Sequence, residues 1–301
     1  MSILKKVYHK TKLDVVWNRF ASAVTRATWK PLRIMKASET INYIIDNKCS
    51  IARFGDGELH IVAYNSALRF QKTDKQLQKR LIEVLNNPNP DLLLCLPNRL
   101  NIVTESERKE LSEFWQNALK LHLYSWTKHI QKKRLYGDTN LSRLTETDTY
   151  KSVNEYIEHI KMLWADRNVI MVEGEKTRFG VGNSLFDNVS TLRRILGPST
   201  SAFDCYSELL EASVELAGKV ESPLVLIALG PTATVLASDL ADRGIQSLDL
   251  GHLDICYEQY KSGTNGPVAG KYTNEAVDGD NVGECLDEEY ISQIAVQIQS
   301  K

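Results

Sequence analysis

From residue 37 onward, short apolar runs alternate with longer stretches in which apolar residues recur every three or four positions. The short runs predict buried strands at residues 50–54, 92–96, 169–172, 224–229 and 247–250. The longer stretches predict helices at residues 37–47, 74–86, 105–124, 153–166, 184–196, 206–218 and 232–243. Continuously apolar strands separated by helices point to an α/β, Rossmann-like fold: a mostly parallel sheet with helices on both faces. Residues 97–167 form a long excursion between strands and predict a helical insertion. Ahead of residue 37, Leu13, Val16, Trp17, Phe20 and Val24 recur at helical spacing and predict an amphipathic helix. The chain therefore divides into an N-terminal extension, residues 1–36, and one large domain, residues 37–301.

Charge sharpens that division. Residues 1–36 hold nine Lys and Arg against one acid, Asp14, which makes the segment +8. The whole chain is −1, so residues 37–301 carry −9. The extension can pack on the domain with a solvated basic face, or lie on an anionic membrane surface. The acidic remainder shows no interleaved basic and aromatic residues, which argues against nucleic acid as a partner. No apolar run approaches the roughly 18 residues needed to cross a bilayer, and the first twenty residues lack a signal-peptide pattern. Five cysteines, an odd number with no C-x-x-C pair, disfavour both a disulfide scaffold and a thiolate zinc site. These features predict a cytoplasmic protein, with the extension offering peripheral contact at the inner face of the cell membrane.

Chemistry concentrates directly after the strands. Gly55-Asp56-Gly57-Glu58 follows the first, Pro97-Asn98-Arg99 the second and Glu173 to Asn183 the third. Gly230-Pro231-Thr232-Ala233-Thr234 follows the fourth and Gly251-His252-Leu253-Asp254 the fifth. In a parallel sheet all these loops open at one edge, where such sheets bind ligands. Asp56 and Glu58 are read as a turn whose carboxylates face one hard cation, Mn²⁺ or Mg²⁺, shared with substrate phosphates. Gly180-Val181-Gly182 is neither a Walker A loop nor a dinucleotide fingerprint. If a helix follows it, its amides could still cradle an anion, helped by Lys176 and Arg178. Thr232 or Thr234 can cap the helix that Pro231 begins. His252 can ligate a metal, contact a phosphate or take a proton. Arg143, after Gly137-Asp138, can clamp a phosphate or pair with a surface acid. The Asp278, Asp280, Gly283 and Glu289 spacing imitates a calcium loop, but Val282 occupies a ligand position, so calcium is disfavoured.

Five ordered blocks together resemble the GT-D-type glycosyltransferases, formerly a domain of unknown function. They are Arg53 to Glu58, Gly137-Asp138 with Ser142-Arg143, Glu173 to Asn183, Leu229 to Thr234 and Asp249 to Asp254. The resemblance covers residues 37–275 and implies a Rossmann-like domain with a nucleotide-sugar donor, UDP-glucose in the best-known case. It also implies a divalent metal held through the D-x-E motif, here Asp56 and Glu58, with Glu58 the stronger ligand candidate. Members serve in bacterial glycan and glycoprotein assembly, so the implied acceptor is a glycan, lipid-linked in some settings. The donor-side blocks would bring Arg53, Gly55, Gly57, Arg143, Glu173, Gly174, Thr177, Arg178, Gly180, Gly182, Asn183, Gly230, Pro231, Thr232 and Thr234 to the nucleotide sugar. Catalytic candidates are Asp56, Glu58, His252 and Asp254, of which Asp56, His252 and Asp254 can serve as base. Two other functions use the same loops: a metal-dependent phosphotransferase or sugar-phosphate enzyme, and a non-catalytic nucleotide-sugar-binding protein.

Overall fold

The structure, a computed structural model, describes residues 3–102, 104–144, 150–264, 268–271 and 282–299, with side chains from residue 14 onward. Among these residues nine strands make one sheet: β1 (Arg33–Ile34), β2 (Ser50–Arg53), β3 (Leu92–Leu96), β4 (Leu135–Asp138), β5 (Asn168–Gly174), β6 (Thr191–Gly197), β7 (Pro223–Ala228), β8 (Ser247–Asp249) and β9 (Ile294–Gln297). Their order across the sheet is β1-β4-β3-β2-β8-β7-β5-β6-β9, and every neighbouring pair is parallel. The helices are α1 (Ile3–Ala27), α2 (Ala37–Asn47), α3 (Asp56–Tyr64), α4 (Lys75–Leu85), α5 (Glu105–Lys109), α6 (Glu113–Thr127), α7 (Val153–Lys161), α8 (Tyr206–Ala217), α9 (Pro231–Ala241), α10 (Leu253–Ser262) and α11 (Glu288–Gln293). None is long and apolar enough to cross a membrane.

Strand β3 is apolar at every position because both faces of the sheet are covered there. In β3, Leu92, Leu94 and Leu96 join a core with α3, α4, α6, α8 and α9, whereas Leu93 and Cys95 join a second core with α2, α7 and α10. Side chains alternate across the pleat, so one continuous run feeds two cores. Helix α9 is buried at ten of its eleven residues and packs on β2 and β8. It has no polar face because almost none of its surface meets water.

Strands from the first half of the chain lie on one side of β2, and those from the second half lie beyond β8. The two halves meet where Ile51 pairs with Leu248. Two consecutive segments that run outward in opposite directions leave a crevice at their junction, above the carboxyl ends of the strands. Here that crevice is bounded by the segments that follow Arg53 and Asp249.

Several elements differ from the sequence expectation. Residues 184–196 are not a helix; they hold turns and then β6, which sits between β5 and β9. Leu185, Phe186, Val189, Leu192 and Ile195 mimic a helical spacing, but Asn183, Asp187, Asn188 and Ser190 favour turns, and the sheet supplies ladder partners for Thr191–Gly197. The excursion at 97–167 carries α5, α6 and α7 but also returns to the sheet as β4, between β3 and β1. Strands β1 and β9 have only two and four residues, too few for an apolar pattern to register. Asp56 and Glu58 belong to the first turn of α3 rather than to a free turn.

Candidate active site at the carboxyl edge of the sheet

The crevice opens into a cleft of about 400 Å³. The ends of β2 and β8 form its centre, with Asp56, Glu58, Asp249 and His252. On the side of β3 and β4 stand Pro97, Asn140, Arg143 and Trp115 of α6. On the side of β7, β5 and β6 stand Gly230, Gly174, Thr177 and Ser199.

Local structure accounts for the central carboxylates. Gly55 is the N-cap of α3, and the Glu58 carboxylate accepts its backbone N–H at 2.8 Å. This one-sided cap satisfies the Gly55 donor and fixes the Glu58 side chain at the cleft floor. Burial, the nearby Asp249 carboxylate and then Asp56 push the Glu58 carboxyl up to about 7, against the pull of the Gly55 N–H. Asp56, at the first position of the helix, is exposed.

Asp249 is 3% exposed and is held by Arg53, whose Nε and Nη2 lie 3.3 and 3.2 Å from Oδ1. The same guanidinium donates to Thr139 O at 2.9 Å and to Ser142 Oγ. Arg53 therefore ties β2, β8 and the segment after β4 together beneath the cleft. Its backbone carbonyl accepts from Thr234 Oγ1 at 2.9 Å, which locks the start of α9 onto β2. Gly251 has φ +51°, and a Cβ there would collide with the Arg53 guanidinium. Gly251→Ala should therefore cost about 3 kcal/mol, from the left-handed backbone and the displaced ion pair. Chemical denaturation would measure this, and a loss below about 1 kcal/mol would show that Arg53 moves aside freely.

The sequence-predicted residues divide into two groups. Arg53, Gly55, Asp56, Gly57, Glu58, Arg143, Gly174, Thr177, Gly230, His252 and Asp254 all line the cleft. Arg178, Gly180, Gly182, Asn183, Glu173, Pro231, Thr232 and Thr234 do not. With no helix at residue 184, the Gly180–Gly182 segment has no dipole to aim at an anion, and it lines a separate groove with Arg194 and Tyr290. Arg178 turns away to donate to the carbonyls of Gly270, at 2.8 Å, and Gly283. Glu173 is fully buried against Arg194, 2.6 Å from its Nη1, and accepts the Phe179 N–H at 2.7 Å. Thr232 and Thr234 are buried in the α9 packing.

Asp254 borders the cleft, but its carboxylate is committed elsewhere. It accepts from the Gly180 N–H at 2.9 Å, from Asn183 Nδ2 at 2.7 Å and from Lys271 Nζ at 2.9 Å. With Glu258, 3.1 Å from the same Lys271 ammonium, it anchors a later segment of the chain to the loop after β5. A carboxylate with those partners is a structural hub rather than a free base. His252 is the N-cap of α10 and faces the cleft. The Asp278–Asp280 part of the calcium-like spacing lies outside the described residues.

Among the cleft residues not singled out from the sequence, three contributions stand out. Asp249 ends a predicted strand, and that position is a usable signal. Trp115 comes from α6, far away in sequence. Residues 68–71, after α3, reach the cleft because Ser201 N–H donates to Phe70 O at 2.8 Å and Lys72 pairs with Asp204. Neither of the last two is announced by any local pattern.

Comparison with known proteins agrees with this geometry. A family model described as the glycosyltransferase GT-D fold matches residues 51–276. The chain is 33% identical over 280 residues to glycosyltransferase GlyD of Streptococcus pneumoniae serotype 4, covering 89% of this chain and 33% of that protein. It is 32% identical over 276 residues to a probable glycosyl transferase Gly of Streptococcus gordonii, covering 89% of this chain and 39% of that protein. The chain thus spans little more than a third of the length of these relatives. A solved structure of the highly conserved domain of unknown function 1792, described as having a distinct glycosyltransferase fold, superposes with a TM-score of 0.77 at 31% identity, covering 93% of this chain and 99% of that one. A structure described as a new glycosyltransferase from Streptococcus sanguinis gives 0.77 at 31% identity, covering 89% and 99%. A nine-stranded parallel sheet, a cleft at its switch point and a family match over most of the domain lead to one conclusion: the chain belongs to the GT-D fold family of glycosyltransferases.

Proposed function

We propose that the protein transfers a hexose from a nucleotide-sugar donor, UDP-linked, to a glycan acceptor in bacterial polysaccharide or glycoprotein assembly. The observation that carries this reading is the crowding of Glu58, Asp249 and Asp56 at the switch-point cleft, with Glu58 raised to about 7 by burial and by the other two carboxylates. Like charges held together in a partly dry cleft favour a cation. Among the described residues no group of three or more His, Cys, Asp or Glu forms a cage of its own. A Mn²⁺ or Mg²⁺ ion would then be held by one or two of these carboxylates, the remaining positions being left to pyrophosphate oxygens and water.

Glu58 is the principal metal ligand in this reading, and Asp56 shares the ion or takes the acceptor proton. When bound, the ion neutralises charge that grows on the leaving diphosphate. Arg143 and the start of α9 at Gly230 add fixed positive potential at the same cleft. Since Asp254 is committed to Lys271, the acceptor hydroxyl proton passes to Asp56 or His252. None of the five cysteines is in a disulfide, which supports a cytoplasmic site of action, and a lipid-linked acceptor would bring the enzyme to the inner face of the membrane.

A thermal-shift panel of UDP-, GDP-, ADP- and dTDP-sugars, each with and without Mn²⁺, tests this. UDP-sugars should raise the unfolding midpoint by several degrees only when the metal is present, the shift expected for saturation about a hundredfold above Kd. A flat response across the whole panel would remove the nucleotide-sugar assignment. A response indifferent to metal would remove the role given to Glu58 and Asp56.

A further inference from the structure

Helix α1 is inside out relative to an ordinary packed helix. Its contacts with α6 are polar: Asn18 Oδ1 accepts from Ser125 Oγ at 2.9 Å, Ser22 Oγ accepts from the Tyr124 N–H at 3.2 Å, and Arg26 donates to Leu119 O at 2.9 Å. Ala21 and Ser22 are its buried residues among those with described side chains. At 3.6 residues per turn, Val16, Phe20 and Val24 fall on the side opposite Asn18, Ser22 and Thr25. There Val16, Trp17, Phe20 and Val24 are 65%, 60%, 61% and 47% exposed. The Trp17 and Phe20 rings lie 6.1 Å apart, so the stripe is continuous rather than scattered. A surface helix normally turns such a stripe inward; a contiguous one turned outward marks a contact surface.

Charge selects the occupant. The segment that bears the stripe, residues 1–36, is +8 on a chain that is otherwise −9. A second copy seated on this face would bring two +8 segments together, at a cost in repulsion. A surface with an apolar interior and anionic groups above it satisfies both the stripe and the charge. We propose that the outer face of α1 seats on an anionic phospholipid bilayer, with Val16, Trp17, Phe20 and Val24 at the boundary between acyl chains and headgroups. Aromatic rings favour that depth, and basic side chains meet the headgroup charge. The inference stands apart from the catalytic reading, because none of these residues lines the cleft. It also bears on acceptor access: α6, on which α1 rests, contributes Trp115 to the cleft wall.

Co-sedimentation of the full chain with phosphatidylcholine vesicles, with and without phosphatidylglycerol, tests the proposal. The chain should bind only the phosphatidylglycerol vesicles, and raised salt should weaken binding. Trp17→Ser with Phe20→Ser should reduce binding about tenfold or more, with an unchanged unfolding midpoint because both side chains face solvent. Leu286→Ser, at a site 82% exposed elsewhere on the protein, should bind like the parent. Equal sedimentation of the parent and the double variant, or no binding by the parent, overturns the proposal. So does a dimer that the double variant dissolves, since that assigns the face to a second copy. Metal-dependent stabilisation by nucleotide sugars, followed on the same samples, reports on the cleft alone and separates failure here from failure of the catalytic reading.

Discussion

Replacing Glu58 by glutamine should abolish transfer and, above neutral pH, make the protein harder to unfold. Both effects follow from one carboxylate. Its pKa is raised from 4.5 to about 7, so between those values the folded protein holds a proton that the unfolded chain has released. Stability therefore falls as pH rises through that window, and above pH 7 the folded state carries the full cost of the buried charge. Glutamine carries no charge, and its amide oxygen can still accept the Gly55 N–H. Glu58→Gln should gain about 1–2 kcal/mol at pH 8, after allowance for water in the cleft, or roughly 2–6 °C in the unfolding midpoint. The gain should vanish below pH 4.5, where the native carboxyl is neutral in both states. Turnover should fall at least about a hundredfold, the scale of losing a principal electrostatic contributor. In the metal-free protein Glu58 ionises near pH 7, so metal affinity should rise with pH through that value. Near-normal activity in the variant would remove the metal ligand from the mechanism. A midpoint difference that does not change with pH would remove the buried charge.

The largest loss of stability is expected at Arg194. Its guanidinium is 2% exposed and meets the fully buried Glu173 at 2.6 Å. It also donates to Phe179 O at 2.9 Å and to Gln293 Oε1 at 2.7 Å, and lies 4.9 Å from the centre of the Tyr290 ring. Arg194→Ala would strand the Glu173 charge in a dry interior, which costs about 3–5 kcal/mol. Denaturant midpoints at neutral pH would read that directly. Arg194→Met combined with Glu173→Gln removes both charges and should recover more than half of the loss. A double variant as unstable as Arg194→Ala would mean that packing, not the stranded charge, sets the cost. The double variant also checks the corrected role of Glu173. If it folds but no longer responds to nucleotide sugars, Glu173 belongs to the donor site after all.

The active-site loops were legible from sequence to the extent that they depend on strand order and polarity. Residues 92–96 read as a buried strand because every side chain is apolar, the composition that a strand covered on both faces favours, whereas 247–250 offers only Leu248 and Leu250, alternating with Ser247 and Asp249. Once the strands are parallel, their carboxyl ends share an edge. That places Gly55 to Glu58 and Gly251-His252 on one edge, and the pairing of β2 with β8 makes them neighbours. The Gly180 segment misled for the opposite reason. Residues 184–196 satisfy a helical spacing and a strand assignment about equally, and the ladder with β5 and β9 decided between them. The ion pair between Arg178 and phosphate expected from the sequence gave way to backbone carbonyls at Gly270 and Gly283, partners supplied by a segment about a hundred residues downstream.

Two kinds of information built this protein, and they separate cleanly. Local pattern determined the two-sided sheet, the basic extension and the set of loops that carry chemistry, because burial on both faces and crossover connections constrain composition residue by residue. Which polar groups are spent on holding the fold and which remain for a ligand was decided only in three dimensions. Asp254 and Glu58 look alike in the sequence, each in a loop after a strand. One is neutralised by Lys271 and the other is crowded by Asp249. The same holds for α1, whose apolar stripe is plain in the sequence, while its outward direction depends on Asn18, Ser22 and Arg26 finding partners on α6. A side chain's neighbours across the fold, not its own identity, set whether its charge or its apolar surface is satisfied.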